Sequence, residues 1–170
     1  VPTMSYIGDL EKKLKKKKVP KPVKRLIEEH LKEGKRFLLF VPRITLLGPI
    51  EAALRRQFPN AKFETVSSKE LYRQERIAKM RVGELDFLVT TTILERGVTF
   101  PGVDVCVINA HEEEFSREVL VQIAGRVGRT AGCPTGEVVY FHNGKTKAMV
   151  QAVREIEDLN RQALLGREGK

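Results

Sequence analysis

Short apolar runs alternate with helix-spaced segments along most of this chain. The runs are five or six residues long, and they lie at residues 37–41, 62–66, 87–91, 103–108 and 137–141. Most are rich in Val, Leu, Ile and Phe, as parallel strands covered on both faces require. Strands that alternate with helices predict an α/β fold, a three-layer sandwich with a mostly parallel sheet and helices on both faces.

Capping residues and prolines place the helices between these strands. A lysine-rich helix is predicted over residues 6–18, and a second helix ends at Gly34. Thr45 is a candidate N-cap for a helix that reaches residue 58, with Pro49 tolerated in its first turn. We therefore assign residues 1–35 to a basic linker and a helix that leads in from a missing N-terminal domain, and residues 36–170 to the α/β domain.

Two further helices follow the same pattern. The segment 67–70 resembles a capping box that opens a helix with Leu71, Ile77 and Met80 on its apolar side. The last helix is predicted over residues 146–165. Its apolar stripe is expected to be core, and consists of Met149, Ala152, Val153, Ile156, Leu159 and Ala163.

The positive charge is concentrated near the start of the chain. The formal net charge is +9, and residues 1–36 hold twelve of the 31 Lys and Arg residues but five of the 22 Asp and Glu residues. The block that includes Lys15 and Lys16 could follow a nucleic-acid backbone without reading its sequence. A solvated linker helix is an equally good interpretation of these lysines.

The segment Gln-Ile-Ala-Gly-Arg-Val-Gly-Arg at 122–129 is the most specific motif. If Ser116 caps a helix that continues through the glycines, Gln122, Arg126 and Arg129 lie on one face at i, i+4 and i+7. Arginine is permanently charged and its planar fork of donors matches phosphate oxygens, so the pair suits a phosphoryl group in transfer. A solvated, glycine-interrupted helix end is the alternative.

Polar residues follow the predicted third and fourth strands, where open α/β sheets bind ligands. Thr91 and Thr92 end the third strand and precede Glu95 and Gly97, so that hydroxyls and flexible backbone could hold a nucleic-acid phosphate. Threonine is also common in strands for packing alone. The acidic run 112–114 after the fourth strand is interpreted as solvated surface.

Two motif matches fail. His111 and Glu112 begin like a zinc-binding helix, but Phe115 stands where the second histidine is required, so no metal site is predicted.

Gly144, Lys145 and Thr146 match the last three residues of a phosphate-binding loop. The motif also requires a glycine at position 139, where this sequence has Val139, so we expect a loop that enters the last helix. His30 and His142 have no partner in sequence and are interpreted as structural or exposed.

The cysteines and the hydropathy bear on location. The two cysteines give no disulfide framework, which favours a cytoplasmic location. The sequence contains no stretch of eighteen or more apolar residues, so no membrane span is predicted.

Four segments together resemble the second RecA-like domain of superfamily 2 helicases and translocases. They are residues 37–43, Arg76 with residues 80–83, residues 91–99 and residues 122–129, and the resemblance covers about residues 36–142. Within the bacterial branches, residues 90–101 are most similar to the late-competence DNA-uptake ATPases.

The resemblance implies roles in ATP hydrolysis for the 122–129 motif. Arg126 and Arg129 would reach the γ-phosphate of ATP, Gln122 would assist there, and Glu95 and Gly97 would couple the nucleotide to the nucleic acid. The phosphate-binding loop and the Mg²⁺ ligands are expected in the missing N-terminal RecA-like domain, which would bind ATP with Mg²⁺, so this fragment alone is expected to be inactive.

The resemblance also implies DNA as the substrate. Thr91, Thr92 and Arg43 would contact its backbone. Thr99 and Gln122 stand where RNA-helicase relatives usually carry aspartate and histidine, which favours a DNA motor over an RNA-specific enzyme.

The implied partners are single-stranded DNA, the chain's own N-terminal RecA-like domain, and other competence proteins at the inner face of the membrane, to which a cytoplasmic motor would be peripheral. Two alternatives stay open. One is a replication-restart or repair helicase. The other is a non-motor RecA-like module that binds DNA or a partner protein.

Overall fold

The strands of the protein form a single parallel sheet. A computed structural model describes residues 1–67, 71–91, 100, 102–125 and 136–168. Within these residues the strands are β1 (Thr3–Tyr6), β2 (Phe37–Phe40), β3 (Phe63–Val66), β4 (Phe87–Thr90), β5 (Asp104–Val107) and β6 (Val138–His142). Their order across the sheet is β1-β6-β5-β2-β4-β3, and every pair is parallel. The predicted α/β fold is confirmed, and the five predicted strands correspond to β2–β6.

Helices cover both faces of this sheet. In the described part of the chain they are α1 (Leu10–Lys15), α2 (Lys21–Glu33), α3 (Ile44–Gln57), α4 (Arg73–Arg81), α5 (Arg117–Ala124) and α6 (Lys147–Glu168). Successive side chains of a strand point to opposite faces, so Leu38 and Phe40 pack in the cluster with α4–α6, whereas Phe37 and Leu39 pack with α1–α3. Two hydrophobic layers therefore bury the sheet.

The N-terminal segment shares the second of these layers. β1 pairs with β6, from Thr3 opposite Val139 to Tyr6 opposite His142, and Leu10 and Leu14 of α1 lie in the core cluster formed with α2 and α3. The helix predicted over residues 6–18 is wrong at both ends, since α1 covers only Leu10–Lys15. Strand β1 was not predicted, because a four-residue edge strand carries too little periodicity to be recognised. The predicted division between residues 35 and 36 falls inside this core and not at its boundary.

Helices α2 and α3 test two predicted helix boundaries. Gly34 ends α2 in the left-handed conformation, with φ of 68°, and this prediction is confirmed. Thr45 does not cap α3, because the helix begins at Ile44 and its N-cap, Arg43, makes no side-chain cap bond. The Thr45 hydroxyl instead accepts a hydrogen bond from Arg43 Nη1 at 3.2 Å. Pro49 lies inside the helix, beyond its first turn.

Helices α4 and α6 follow the predictions in part. Ile77 and Met80 are buried in α4, but Leu71 is exposed and precedes the helix. Part of the predicted capping box, residues 68–70, lies outside the described residues. Among the helices that the structure describes, none combines the length and apolarity needed to cross a membrane.

The predicted core stripe of α6 holds only in its first half. Met149, Ala152 and Ile156 are buried, whereas Leu159 and Ala163 are exposed.

A stack of aromatic rings joins three strands beneath α2 and α3. Phe37, Phe87 and Phe63 are opposite one another in register on β2, β4 and β3. The Phe87 ring lies 4.7 Å from the ring centroid of Phe37 and 4.7 Å from that of Phe63, and both pairs are stacked. His30 continues the stack edge-on to Phe37, and the Arg55 guanidinium lies over Phe63.

We predict that Phe87→Ala lowers the free energy of unfolding by about 3–5 kcal/mol, because it leaves a cavity between two buried rings. Urea unfolding followed by circular dichroism measures the change. The exposed Val82, which is the C-cap of α4, provides the control. Val82→Ala should change stability by less than about 0.5 kcal/mol. Equal losses for the two variants would contradict this packing.

Candidate functional site

The carboxyl ends of the parallel strands lie along one edge of the sheet. β2 and β5 are neighbours there, but the chain leaves them in opposite directions. α3, which follows β2, packs with the α1–α3 layer, and α5, which follows β5, packs with the other layer. Such a switch point leaves a crevice beyond the strand ends, where α/β sheets bind ligands. We call this the carboxyl edge.

Arg43 occupies the crevice at the switch point. Its Nε donates to Glu112 Oε1 at 2.7 Å, and its Nη2 donates to Glu112 Oε2 at 3.2 Å and to Glu11 Oε1 at 2.8 Å. The hydrogen bonds to Glu112 and Glu11 raise the pKa of Arg43 further above its ordinary value. The side chain thus ties the end of β2 to α1 and to the loop after β5.

Glu112 is held on its other side by Asn109. Asn109 Nδ2 donates to Glu112 Oε2 at 2.7 Å, and Asn109 has a φ of 56°, a left-handed conformation that asparagine tolerates. The interpretation of the acidic run as solvated surface is therefore wrong for Glu112, which is mostly buried by these partners. The buried Asn109 Oδ1 has no hydrogen-bond partner in the described ranges.

Two depressions adjoin Arg43. One is a polar cavity of about 330 Å³ whose lining includes Asp9, Glu11, Asn109 and Glu112. The other is a groove of about 400 Å³ between α1 and α3. Its lining is mostly apolar, and it also includes the charged side chains of Glu11, Lys15 and Arg43. The remaining lining residues are Leu14, Thr45, Leu46 and Pro49. The first depression favours hydrogen-bond donors or cations, whereas the second combines an apolar surface with two cations and one carboxylate.

The structure brings some of the predicted DNA contacts together. Lys15 and Arg43 line the same groove, and Lys16 follows as the C-cap of α1, with its carbonyl accepting from Arg56 Nη1 at 3.1 Å. Thr91 directly follows β4. It is buried, and its hydroxyl has no partner among the residues whose placement is described. Thr92 lies outside the described residues.

Helix α5 carries the first residue of the predicted phosphate motif. Ser116 Oγ accepts a hydrogen bond from the Val119 amide at 3.2 Å, so the predicted N-cap is confirmed. Gln122 is exposed on the last turn, and Gly125 caps the helix end. Residues 126–135 lie outside the described residues, so the continuation of the helix and the positions of Arg126 and Arg129 stay predictions. Glu95 and Gly97 also lie outside.

The loop after β6 has local structural roles. Thr146 Oγ1 accepts from the Met149 amide at 3.2 Å and caps α6, so the interpretation of residues 144–146 as a loop entering the last helix is confirmed. His142 Nδ1 accepts from the Gly144 amide at 3.0 Å. Burial, followed by the charges of Lys145 and His111, lowers the pKa of His142.

The sequence alone does not reveal the Glu11–Arg43–Glu112 cluster. Its members lie 32 and 69 positions apart in the chain, so no local spacing relates them. Of the three, only Arg43 is a predicted site residue, through the family resemblance of residues 37–43. The signal that could have identified the others is the convergence of parallel strand ends on one edge.

Comparison with known proteins gives a consistent result. Residues 18–131 match the helicase conserved C-terminal domain. The chain is 42% identical over 159 residues to the competence protein ComFA of Bacillus subtilis (strain 168). The matched region covers 94% of this chain and 34% of that protein. It is 39% identical over 163 residues to ComFA of Streptococcus pneumoniae (strain ATCC BAA-255 / R6), covering 96% of the chain and 38% of that protein.

The chain thus spans about a third of the length of these curated relatives. Among solved structures, it is similar to Mss116p DEAD-box helicase domain 2 bound to an RNA duplex. The TM-score is 0.65 at 18% identity, and the match covers 83% of this chain and 53% of the other. At this identity the similarity concerns the fold alone.

We predict that Ser116→Ala destabilises the protein by about 1 kcal/mol, because the first turn of α5 loses its side-chain acceptor. Ser116→Asp is the matched control, since a carboxylate keeps the acceptor and favours a helix N-terminus. Urea unfolding of both variants measures the effect. Equal stability of the Ala and Asp variants would show that the cap does not hold α5.

Proposed function

Because the chain belongs to the helicase conserved C-terminal domain family, we propose that it is the second RecA-like half of an ATP-dependent motor that moves single-stranded DNA in natural transformation. The observation that carries this proposal is the 42% identity to a competence protein across 94% of the chain. A replication-restart or repair helicase would share the fold, but it would not be expected to resemble a competence protein over nearly the whole domain.

In this proposal the chain supplies the arginine fingers and another domain holds the nucleotide. Arg126 and Arg129 neutralise charge that develops on the γ-phosphate, and Gln122 assists there. Gln122 is exposed on the last turn of α5, four positions before Arg126 in the chain, and this position supports the assignment. The first RecA-like domain of the full-length protein binds ATP and Mg²⁺, and Glu95 and Gly97 couple that site to DNA.

The carboxylates that are described at the carboxyl edge agree with a Mg²⁺ site in another domain. A Mg²⁺ site needs carboxylate oxygens that are accessible to the ion. Glu11 and Glu112 instead bind the Arg43 guanidinium, and Asp9 accepts from the Lys12 amide as the cap of α1. This arrangement supports placing the Mg²⁺ ligands in the other domain.

DNA would lie across the carboxyl edge. Arg43 and Lys15 in the lining of the α1–α3 groove suit phosphates, and Leu14, Leu46 and Pro49 offer apolar contact to a base. Thr92, and Thr91 once its buried hydroxyl is exposed, would hold further phosphates, and Lys16 would add to the attraction. Cations that track the backbone in this way bind single strands without reading sequence.

Arg43 would alternate between partners in the motor cycle. In the structure its donors are held by Glu11 and Glu112. A DNA phosphate would compete with Glu11, the more exposed of the two carboxylates. Domain closure on ATP and reopening after hydrolysis would then shift this grip along the strand. The motor would act in the cytoplasm with other competence proteins at the inner face of the membrane.

We predict that Arg126→Ala in the full-length protein lowers DNA-stimulated ATP hydrolysis by about 10³ or more, as expected for loss of an arginine finger. Arg129→Ala should behave similarly. Arg154→Ala, which removes an exposed arginine from α6, is the control and should leave turnover unchanged. Phosphate release with and without single-stranded DNA measures the rates.

Normal DNA-stimulated turnover in Arg126→Ala would contradict the finger role. If single-stranded DNA still binds while no variant or wild-type protein turns over ATP, the non-motor module is the correct interpretation.

We predict that Glu11→Gln increases affinity for single-stranded DNA by roughly fivefold, because about 1 kcal/mol of competition for Arg43 is removed. Glu29→Gln makes the same charge change on the exposed surface of α2 and should have little effect. Fluorescence anisotropy with a labelled oligonucleotide measures both.

The double variant Glu11→Gln/Arg43→Ala separates this exchange from a general charge effect. The gain should disappear in the double variant, because no guanidinium is then released. A gain that persists without Arg43, or that Glu29→Gln reproduces, would contradict the exchange of partners.

A further inference from the structure

A second group of ionisable residues lies at the amino ends of the strands, opposite the carboxyl edge. His30 is on the last turn of α2, Asp104 begins β5, and Glu137 directly precedes β6. His30 Nε2 lies 2.8 Å from Asp104 Oδ2 and 4.0 Å from Glu137 Oε2. One ligand atom from each residue lies within 4.8 Å of the other two.

The surrounding hydrogen bonds fix the direction of two of these ligand atoms. Asp104 Oδ1 accepts from the Glu137 amide at 2.9 Å, so Oδ2 remains directed at His30. His30 Nδ1 lies 2.8 Å from the Leu26 carbonyl oxygen. Because a carbonyl can only accept, Nδ1 carries a proton. A bond from the second ring nitrogen to a backbone carbonyl is the arrangement that orients metal-binding histidines.

This tautomer places a proton or another cation between His30 and Asp104. With the proton on Nδ1, a neutral imidazole presents a lone pair at Nε2, and a lone pair 2.8 Å from a carboxylate oxygen is repulsive. A proton on Nε2 resolves the repulsion. A metal ion also resolves it, if the two atoms separate to about 3.3 Å as ligands of a tetrahedral ion.

A divalent ion can compete with the proton for this position. An imidazolium offsets one of the two carboxylates, whereas a divalent ion that replaces the proton offsets both. Lys35 is also nearby, but its ammonium pairs with Glu33 at 3.1 Å. Glu137 is half-exposed, so its carboxylate can move toward an ion. One imidazole nitrogen and two carboxylate oxygens suit Zn²⁺, with water as the fourth ligand, whereas Mg²⁺ prefers oxygen ligands alone.

We propose that His30 Nε2, Asp104 Oδ2 and Glu137 Oε2 form a site for a divalent transition-metal ion of the Zn²⁺ class. The ion joins the end of α2 to the starts of β5 and β6. It lies at the opposite edge of the sheet from Arg43 and the proposed DNA contacts of the carboxyl edge, so its role is to stabilise the fold. The site does not depend on the proposed motor function.

The test is a Zn²⁺ titration of the chain at pH 8, after treatment with EDTA and removal of the chelator. Calorimetry should show one Zn²⁺ per chain, and thermal unfolding should shift to a higher Tm as Zn²⁺ is added. Mg²⁺ at the same concentration should give no shift.

Variants assign the binding to this cluster. Glu137→Gln removes an exposed ligand without disturbing the core, and should weaken Zn²⁺ binding and reduce the Tm shift. His30→Gln should abolish both. Asp158→Asn, which makes a matched charge change on the exposed side of α6, should behave like the wild-type chain.

Two results would overturn the proposal. The absence of a Zn²⁺-dependent Tm shift in the wild-type chain would mean that only a proton lies between His30 and Asp104. Binding that Glu137→Gln and His30→Gln both retain would place the zinc elsewhere on the chain.

Discussion

Parallel pairing of β5, β2 and β4 at the centre of the sheet is the constraint on which the rest of the structure depends. All their residues except Asp104 are buried, so their backbone groups must be satisfied within the sheet. Parallel strands also bring all carboxyl ends to one edge and all amino ends to the other. Arg43 and Glu112 meet at the first edge, and His30 and Asp104 meet at the second.

The two edges use charge differently. At the carboxyl edge, Arg43 is about a third exposed and shares its donors between two carboxylates, so a phosphate can compete for it. At the amino edge, His30 is almost fully buried against Phe37 and Asp104, so its contact with Asp104 is shielded from water. The first arrangement suits exchange of partners during a motor cycle, and the second suits a fixed connection between helix and sheet.

The family assignment and the geometry together define what this domain can contribute. A helicase C-terminal domain offers a sheet with loops at one edge, and here the groove beside Arg43 adds a mostly apolar lining that also holds Glu11, Lys15 and Arg43. The chain spans about a third of its curated relatives, and the nucleotide chemistry proposed for it needs a second domain. The proposed motor would therefore need two domains, and this chain would contribute one of the two facing surfaces.

The sequence by itself determined the strands β2–β6, the end of α2 at Gly34 and the cap of α5, because apolar runs, Gly34 and Ser116 act through neighbours within a few residues. The lysine block and the family resemblance also predicted Lys15 and Arg43 as nucleic-acid contacts. It did not indicate β1, whose four residues gain their meaning by pairing with β6. Only the tertiary structure decided the partners of Arg43 and His30, since those carboxylates are brought to them by strand order, across separations of up to 74 positions in the chain.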